Sequence, residues 1–231
     1  MAEHSEAERQ ASLREARRDS PDDIVLPFAT VRSRVAGRIV RLGKTADTIL
    51  SGHDYPDVVS ELLGEAIALT ALLGVPLRDG GRLILQTKSD GPVSFLVAHY
   101  DTPGALRGYA SFKAEHVAAL QRDGRVGTAK LLGEGRMAMT IDPGGAQSSH
   151  QGIVALEGGT LTDAAHAYFR QSEQLPTLIR LAVARHFIGG SGADAGWHWR
   201  AGGLIVQHVP AAGGSASRRD ARGARYAAQR R

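Results

Sequence analysis

Cysteine is missing from all 231 residues. Its absence removes disulfides, thiolate nucleophiles, cysteine-held zinc and thiol redox sensing from this polypeptide, and it fits a reducing compartment. A long apolar run is missing too. The most apolar stretch, Val58 to Leu77, is interrupted by Ser60, Glu61 and Glu65 and makes a poor membrane span. The opening residues MAEHSEAERQASLREARRDSPDD mix both charge signs and contain no apolar h-region. They do not read as a secretory signal, and residues 1–23 are predicted to be a disordered, charged leader.

The excess of basic charge is confined to one end. Of 28 basic and 24 acidic residues, six Arg and Asp220 fall within 212–231, which leaves 22 basic against 23 acidic in the rest. A nearly neutral body argues against a nucleic-acid-binding protein as a whole. Residues 212–231 are predicted to be a disordered, basic, low-complexity tail.

Between these ends, 42% apolar and 23% charged residues are ordinary for a folded domain. Val31 to Leu42 alternates β-branched residues with Arg and predicts a half-exposed strand. Asp54 is placed to cap a helix with Pro56 in its first turn, running through VVSELLGEAIALTALLGV to a stop at Gly74 and Pro76. A helix so apolar on every side belongs at the centre of the molecule. Arg82–Thr87, Val93–Tyr100 and Leu106–Phe112, separated by turn residues, predict an antiparallel meander. Further strands are predicted over Arg136–Ile141, Gln151–Leu156, Thr177–Ala184 and Arg200–Val209, with helices over Lys113–Arg122 and Thr160–Gln174. The expected fold class is α+β, with antiparallel strands packed around one or two buried helices.

Catalytic patterns are scarce. The nine His form no His-Glu-x-x-His pair, and His198 with His208, or His99 with His116, lack an ordered carboxylate. They read as surface or hydrogen-bonded structural histidines, so no metal is expected. Gly133-Glu-Gly135-Arg-Met-Ala138 has the spacing of a dinucleotide loop, but it precedes a strand-like segment and reads as a hairpin glycine pair. Ser172-Glu173-Gln174 before Pro176 reads as a helix terminus. Asp54, Asp57, Glu61 and Glu65 share one helical face, solvated or paired with Arg. No nucleophile elbow, phosphate loop or kinase set is present. The chain is not expected to be an enzyme.

Five collinear segments carry a resemblance: HDYPDVVSELLGEAIALTALL (53–73), QTKSDGPVSFLVAHYDTPGALRGYA (86–110), MTID with HQGIVALEG (within 137–158), AYFRQSEQLPT (167–177) and RAGGLIVQHVP (200–210). Together they resemble the heat-shock protein 33 family of redox-regulated holdase chaperones, over its N-terminal core. The resemblance implies a cytoplasmic, ATP-independent chaperone whose client-binding core spans 24–211, with unfolded or partly folded proteins as partners. A homodimer is a further option, and no membrane partner is expected. In the family a linker and a zinc-holding cysteine domain follow the core. The cysteines are absent here, so neither the zinc cofactor nor the redox switch carries over. The tail starts where the linker would, and it is expected to be a shortened or frame-shifted end. The rival reading of the tail is a basic arm giving weak, salt-sensitive nucleic-acid contact. For the whole chain the alternatives are a non-chaperone binding module on the same fold, or a truncated inactive form. A holdase needs accessible apolar surface. The candidate strand positions are Leu83, Leu85, Phe95, Val97, Ile205 and Val206, each also a candidate for the core.

Overall fold

A computed structural model of the chain describes residues 22–208, apart from 31, 123, 125, 126, 146, 191, 193 and 194. The predicted leader and tail therefore lie outside the described residues, save for 22 and 23. Nine strands, β1 (Ile24–Thr30), β2 (Val35–Leu42), β3 (Arg82–Ser89), β4 (Val93–Asp101), β5 (Ala105–Phe112), β6 (Glu134–Asp142), β7 (His150–Glu157), β8 (Thr177–Ile188) and β9 (Gly196–His208), form two antiparallel sheets. One has the order β1-β2-β9-β8 and the other β5-β4-β3-β6-β7. Among the described residues four helices accompany them: α1 (Lys44–Ser51), α2 (Asp57–Gly74), α3 (Ala114–Arg122) and α4 (Leu161–Tyr168). The fold is α+β, as the sequence predicts.

The layers follow from α2. Fourteen of its eighteen residues are buried, including Leu62, Leu63, Ile67, Leu69 and Leu72. No stripe on such a helix can face water, so it needs partners all round. It packs against β2, β8 and β9 of the four-stranded sheet and against β3, β4 and β5 of the five-stranded one. Each fully buried aliphatic side chain there contributes roughly 1.5–3 kcal/mol. Its one buried threonine, Thr70, donates its hydroxyl to the Ala66 carbonyl at 2.7 Å, so that hydroxyl is not stranded. Arg38 turns inward from β2 and donates Nε to the Leu72 carbonyl at 2.8 Å. A guanidinium thus satisfies one of the helix's unpaired C-terminal carbonyls.

Several boundaries differ from the sequence reading, each for a physical reason. The strand expected over Val31–Leu42 begins at Val35, because Arg32–Arg34 turn the chain back from β1. β1 tolerates Pro27 in its middle because it is an edge strand, where a missing N–H breaks no ladder bond. Helix α1 has no local side-chain cap. Asp23, twenty residues upstream, accepts from Gly43 N at 2.8 Å and from the Thr45 hydroxyl at 2.8 Å. Asp54 does not cap α2, since Pro56 itself occupies the capping position. The helix expected over Thr160–Gln174 opens on a capping box between Thr160 and Asp163. It is α-helical only to Tyr168, continues as one wide turn over Phe169–Glu173, and ends on Gln174 at φ 52°, in the left-handed region. Ser172-Glu173-Gln174 is thus a helix terminus. β8 and β9 run farther than predicted, forming one long hairpin.

Candidate functional surface

Residues directly opposite on antiparallel strands share a face, so the register sorts every side chain into inner or outer. On the four-stranded sheet Val40, Leu42, Ile179 and Ile205 point inward onto α2 and are buried. The opposite face is also apolar. Leu26, Ile39 and Leu204 stand in one cross-strand row, closed by Arg180. Phe28, Gly37, Val206 and Leu178 form the next. Leu26 is 51% exposed, Ile39 47% and Leu178 43%, while Phe28, Leu204 and Val206 are half-buried. Gly37 allows this packing. A Cβ there would collide with the Phe28 ring and the Ile205 carbonyl, so the phenyl ring lies directly over the glycine.

Charge on this face is sparse and positive. Arg41 and Arg180 border the rows, and Asp22 at the margin is paired with Arg200 at 3.4 Å. An apolar patch rimmed by polar groups is the signature of an interaction surface.

The outer face of the five-stranded sheet is mixed. Tyr109, Val97, Gln86, Ala138 and Ile153 make one row, and Ser111, Phe95, Lys88, Arg136 and Ala155 the next. Beside them Asp101 lies between Arg82, at 2.7 Å, and Arg107, at 2.9 Å. The hydrogen bond from Arg82, reinforced by the charges of His99 and Arg82 and the bond from Arg107, holds the Asp101 carboxyl below the usual carboxylate range. His99, in the same cluster, is held below the usual imidazole range, first by burial and then by the neighbouring guanidinium charges of Arg107 and Arg82, against the pull of Asp101. This is an ion network and not a bare apolar patch.

The six sequence candidates separate across these faces. Leu83 and Leu85 lie on the inner side of β3, and Ile205 on the inner side of β9; all three are fully buried. Strand alternation turns them onto α2, which corrects their reading as surface positions: as folded they cannot touch a client. Phe95 and Val97 are half-buried on the mixed outer face, and Val206 is half-buried on the apolar one. The structure therefore does not bring the six together. Leu26, Phe28, Ile39, Leu178 and Leu204, which surround Val206, were not singled out. Their signal is only the apolar parity of β1, β2, β8 and β9, which needs the register to become readable.

Among the described residues no catalytic constellation assembles elsewhere. A shallow hollow beside α1 is lined by Lys44, Thr48, Ile49 and Leu106 together with Asp23 and Thr45, which already bond each other. Gly133 leads directly into β6, and Gly135 pairs with Ser89 within the ladder, so that spacing opens no helix. Among the described residues no helix is long and apolar enough to cross a membrane.

Comparison with known proteins decides the family. A family model described as Hsp33 protein matches residues 23–229. The chain belongs to the Hsp33 family. It is 47% identical over 189 residues to the 33 kDa chaperonin of Caulobacter vibrioides, covering 81% of this chain and 61% of that protein. It is 37% identical over 190 residues to the 33 kDa chaperonin of Shewanella loihica, covering 81% and 59%. The crystal structure of the 33 kDa chaperonin from Thermotoga maritima shares the fold with a TM-score of 0.65 at 23% identity, over 81% of this chain and 61% of that one. The chain thus spans about three fifths of the length of these Hsp33 relatives. The zinc that the family implies does not fit here. The chain has no Cys, and among the described residues no three His, Asp or Glu are grouped to hold a metal.

Proposed function

We propose that this chain is the client-binding core of an ATP-independent holdase, acting in the cytoplasm without a redox switch of its own. The observation that carries the reading is the apolar outer face of the four-stranded sheet, with Leu26, Ile39 and Leu178 each close to half exposed in adjoining cross-strand rows. Family membership supports it. Unfolding proteins expose apolar side chains, and each one buried against such a surface contributes roughly 1.5–3 kcal/mol. No nucleotide, metal or covalent step is involved. A second copy of the chain would compete for the same face, so dimerisation and client capture oppose one another.

The test is light scattering of heat-unfolding citrate synthase. The wild-type chain is expected to suppress aggregation under reducing conditions. The triple variant Leu26→Ser, Ile39→Ser, Leu178→Ser is expected to need roughly tenfold more protein for the same effect, because three partial burials of about 0.5 kcal/mol each are lost. Its melting temperature should stay within about 4 °C of the wild type, since exposed positions carry little folding energy. A wild-type chain that never slows aggregation ends the holdase reading.

A further inference from the structure

β8 is an edge strand, with β9 on one side and, among the described residues, no strand on the other. Opposed residues in an antiparallel ladder alternate between pairs that exchange hydrogen bonds and pairs whose N–H and C=O point away. Ile179 sets the phase: its N–H donates to His166 Nε2 at 2.9 Å, away from its neighbour Ile205 on β9. The register runs from Thr177 opposite Gln207 to Ile188 opposite Gly196 without a shift. Leu181, Val183, Arg185 and Phe187 therefore also turn their main-chain groups outward. At Ile179 the chain covers its own edge, for Arg180 Nη1 donates to the Ile179 carbonyl at 3.0 Å. From Leu181 to Phe187 no group among the described residues reaches the outward donors and acceptors. Four N–H and C=O pairs stand open along about 20 Å of strand.

Soluble proteins normally blunt such an edge with Pro, Lys, a bulge or a covering element. β1 has Pro27 at its centre. On β5 the Ala110 N–H donates to the Tyr55 hydroxyl at 3.1 Å. The segment LAVARHF of β8 has no Pro, Lys or bulge, and its one full charge, Arg185, is turned to the inner face, where it meets Asp57 at 3.3 Å and the Trp199 ring at 5.0 Å and leaves the main-chain edge open. Its residues 184–187 are all exposed, and it ends on the Phe187–Trp197 pair, 57% and 62% exposed with ring centroids 5.2 Å apart.

We propose that the β8 edge from Leu181 to Phe187 captures an extended segment of an unfolded client as a fifth strand of this sheet. The inference rests on the holdase reading and names the form in which a client is held. Only an extended polypeptide backbone supplies donors and acceptors at this spacing, and it does so whatever its side chains, which suits a protein that must hold unrelated sequences. The edge is continuous with the apolar face. Ala182 and Gly202 lie in the row beside Arg180 and Leu204, where a single methyl group and a bare Cα leave space for the side chains of an added strand. One client segment can then pair its backbone with β8 and lay side chains toward Leu204 and Leu178.

The experiment uses residue-resolved hydrogen exchange on the intact chain, with reduced, carboxymethylated α-lactalbumin as a permanently unfolded client. The amides of Leu181, Val183, Arg185 and Phe187 are expected to slow about tenfold when client is added. Arg185→Pro removes an outward N–H at an edge position that the fold tolerates, and it should abolish most of that protection and weaken client retention several-fold. Arg185→Ala, measured alongside, reads the side chain's share, so the difference between the variants belongs to the main chain. If Arg185→Pro does not fold, the wild-type exchange pattern decides alone. Client retained with these four amides unprotected overturns the strand-addition inference and leaves the holdase reading standing. No retained client at all removes both. Protection that rises with the chain's own concentration, without client, assigns the edge to a second copy and overturns the client as its occupant.

Discussion

Glu65 is the residue whose chemistry is most altered by folding. It sits on α2 with Oε1 accepting from the Thr128 hydroxyl at 3.1 Å and Oε2 buried without a hydrogen-bond partner among the described residues. Burial pushes its carboxyl up to about 7, the Thr128 bond opposes this, and the charge of Glu61 adds to it. An unfolded chain titrates this group near 4.5. The folded state therefore holds the proton more tightly, and stability from this group is full below about 4.5 and lost as pH rises through 7. The loss approaches 3 kcal/mol as an upper bound on the order of magnitude. Glu65→Gln, neutral and nearly isosteric, should stabilise the chain by about 1–3 kcal/mol at pH 8 and by almost nothing at pH 4. Urea unfolding of both proteins at pH 4, 6 and 8 checks this. Equal stabilities at pH 8 would mean that Glu65 is solvated. Asp47 shows the opposite balance. Burial works to raise its carboxyl, but the hydrogen bonds from His198, at 2.7 Å, and from the Trp199 N–H outweigh it and pull it lower.

At the scale of elements, the β1–β2 pair depends on Gly37, because the Phe28 ring occupies the space of its missing side chain. Gly37→Ala must push back both that ring and the Ile205 carbonyl, and backbone gives less readily than a side chain. The expected cost is about 1–3 kcal/mol, read as a lower denaturation midpoint with hydrogen exchange quickening first in Ile24–Thr30. Unchanged exchange in β1 would show that Phe28 can move aside freely. The same strands show what a sequence reveals and what it hides. The central helix is plain from VVSELLGEAIALTALLGV, because apolar residues on every side can only be buried. Helix α1 was missed because its capping carboxylate belongs to Asp23, and a contact twenty residues away leaves no local pattern. β1 was missed because Pro27 interrupts a strand that is tolerated only at an edge. The candidate surface was found in part for a related reason. Val206 and Ile205 are adjacent and equally apolar, yet strand alternation sends one outward and the other into the core. Which is which depends on pairing partners, and no single strand specifies those.

For the whole molecule, the absence of cysteine meets the geometry of the sheets. Two sheets enclosing α2 leave an apolar outer face, and the 231 residues contain no thiol. The groups that remain reversibly oxidisable are the three methionines. Met137 and Met139 both lie on β6 with their side chains in the core and no exposed surface, so peroxide reaches them only when the fold opens. Suppression of citrate synthase aggregation by this 231-residue chain should therefore be the same before peroxide, after peroxide, and after peroxide followed by dithiothreitol. Peptide mass mapping of the folded chain should show little oxygen on Met137 and Met139, while urea-unfolded protein should gain it on both. Should activity rise several-fold with peroxide and fall again with reductant, a switch independent of cysteine would exist, and the apolar face could not be the constant client surface proposed for it. Should activity fall while Met137 or Met139 becomes oxidised in the native protein, β6 opens far more readily than its burial implies, and the core would have to be redrawn around a loosely held five-stranded sheet.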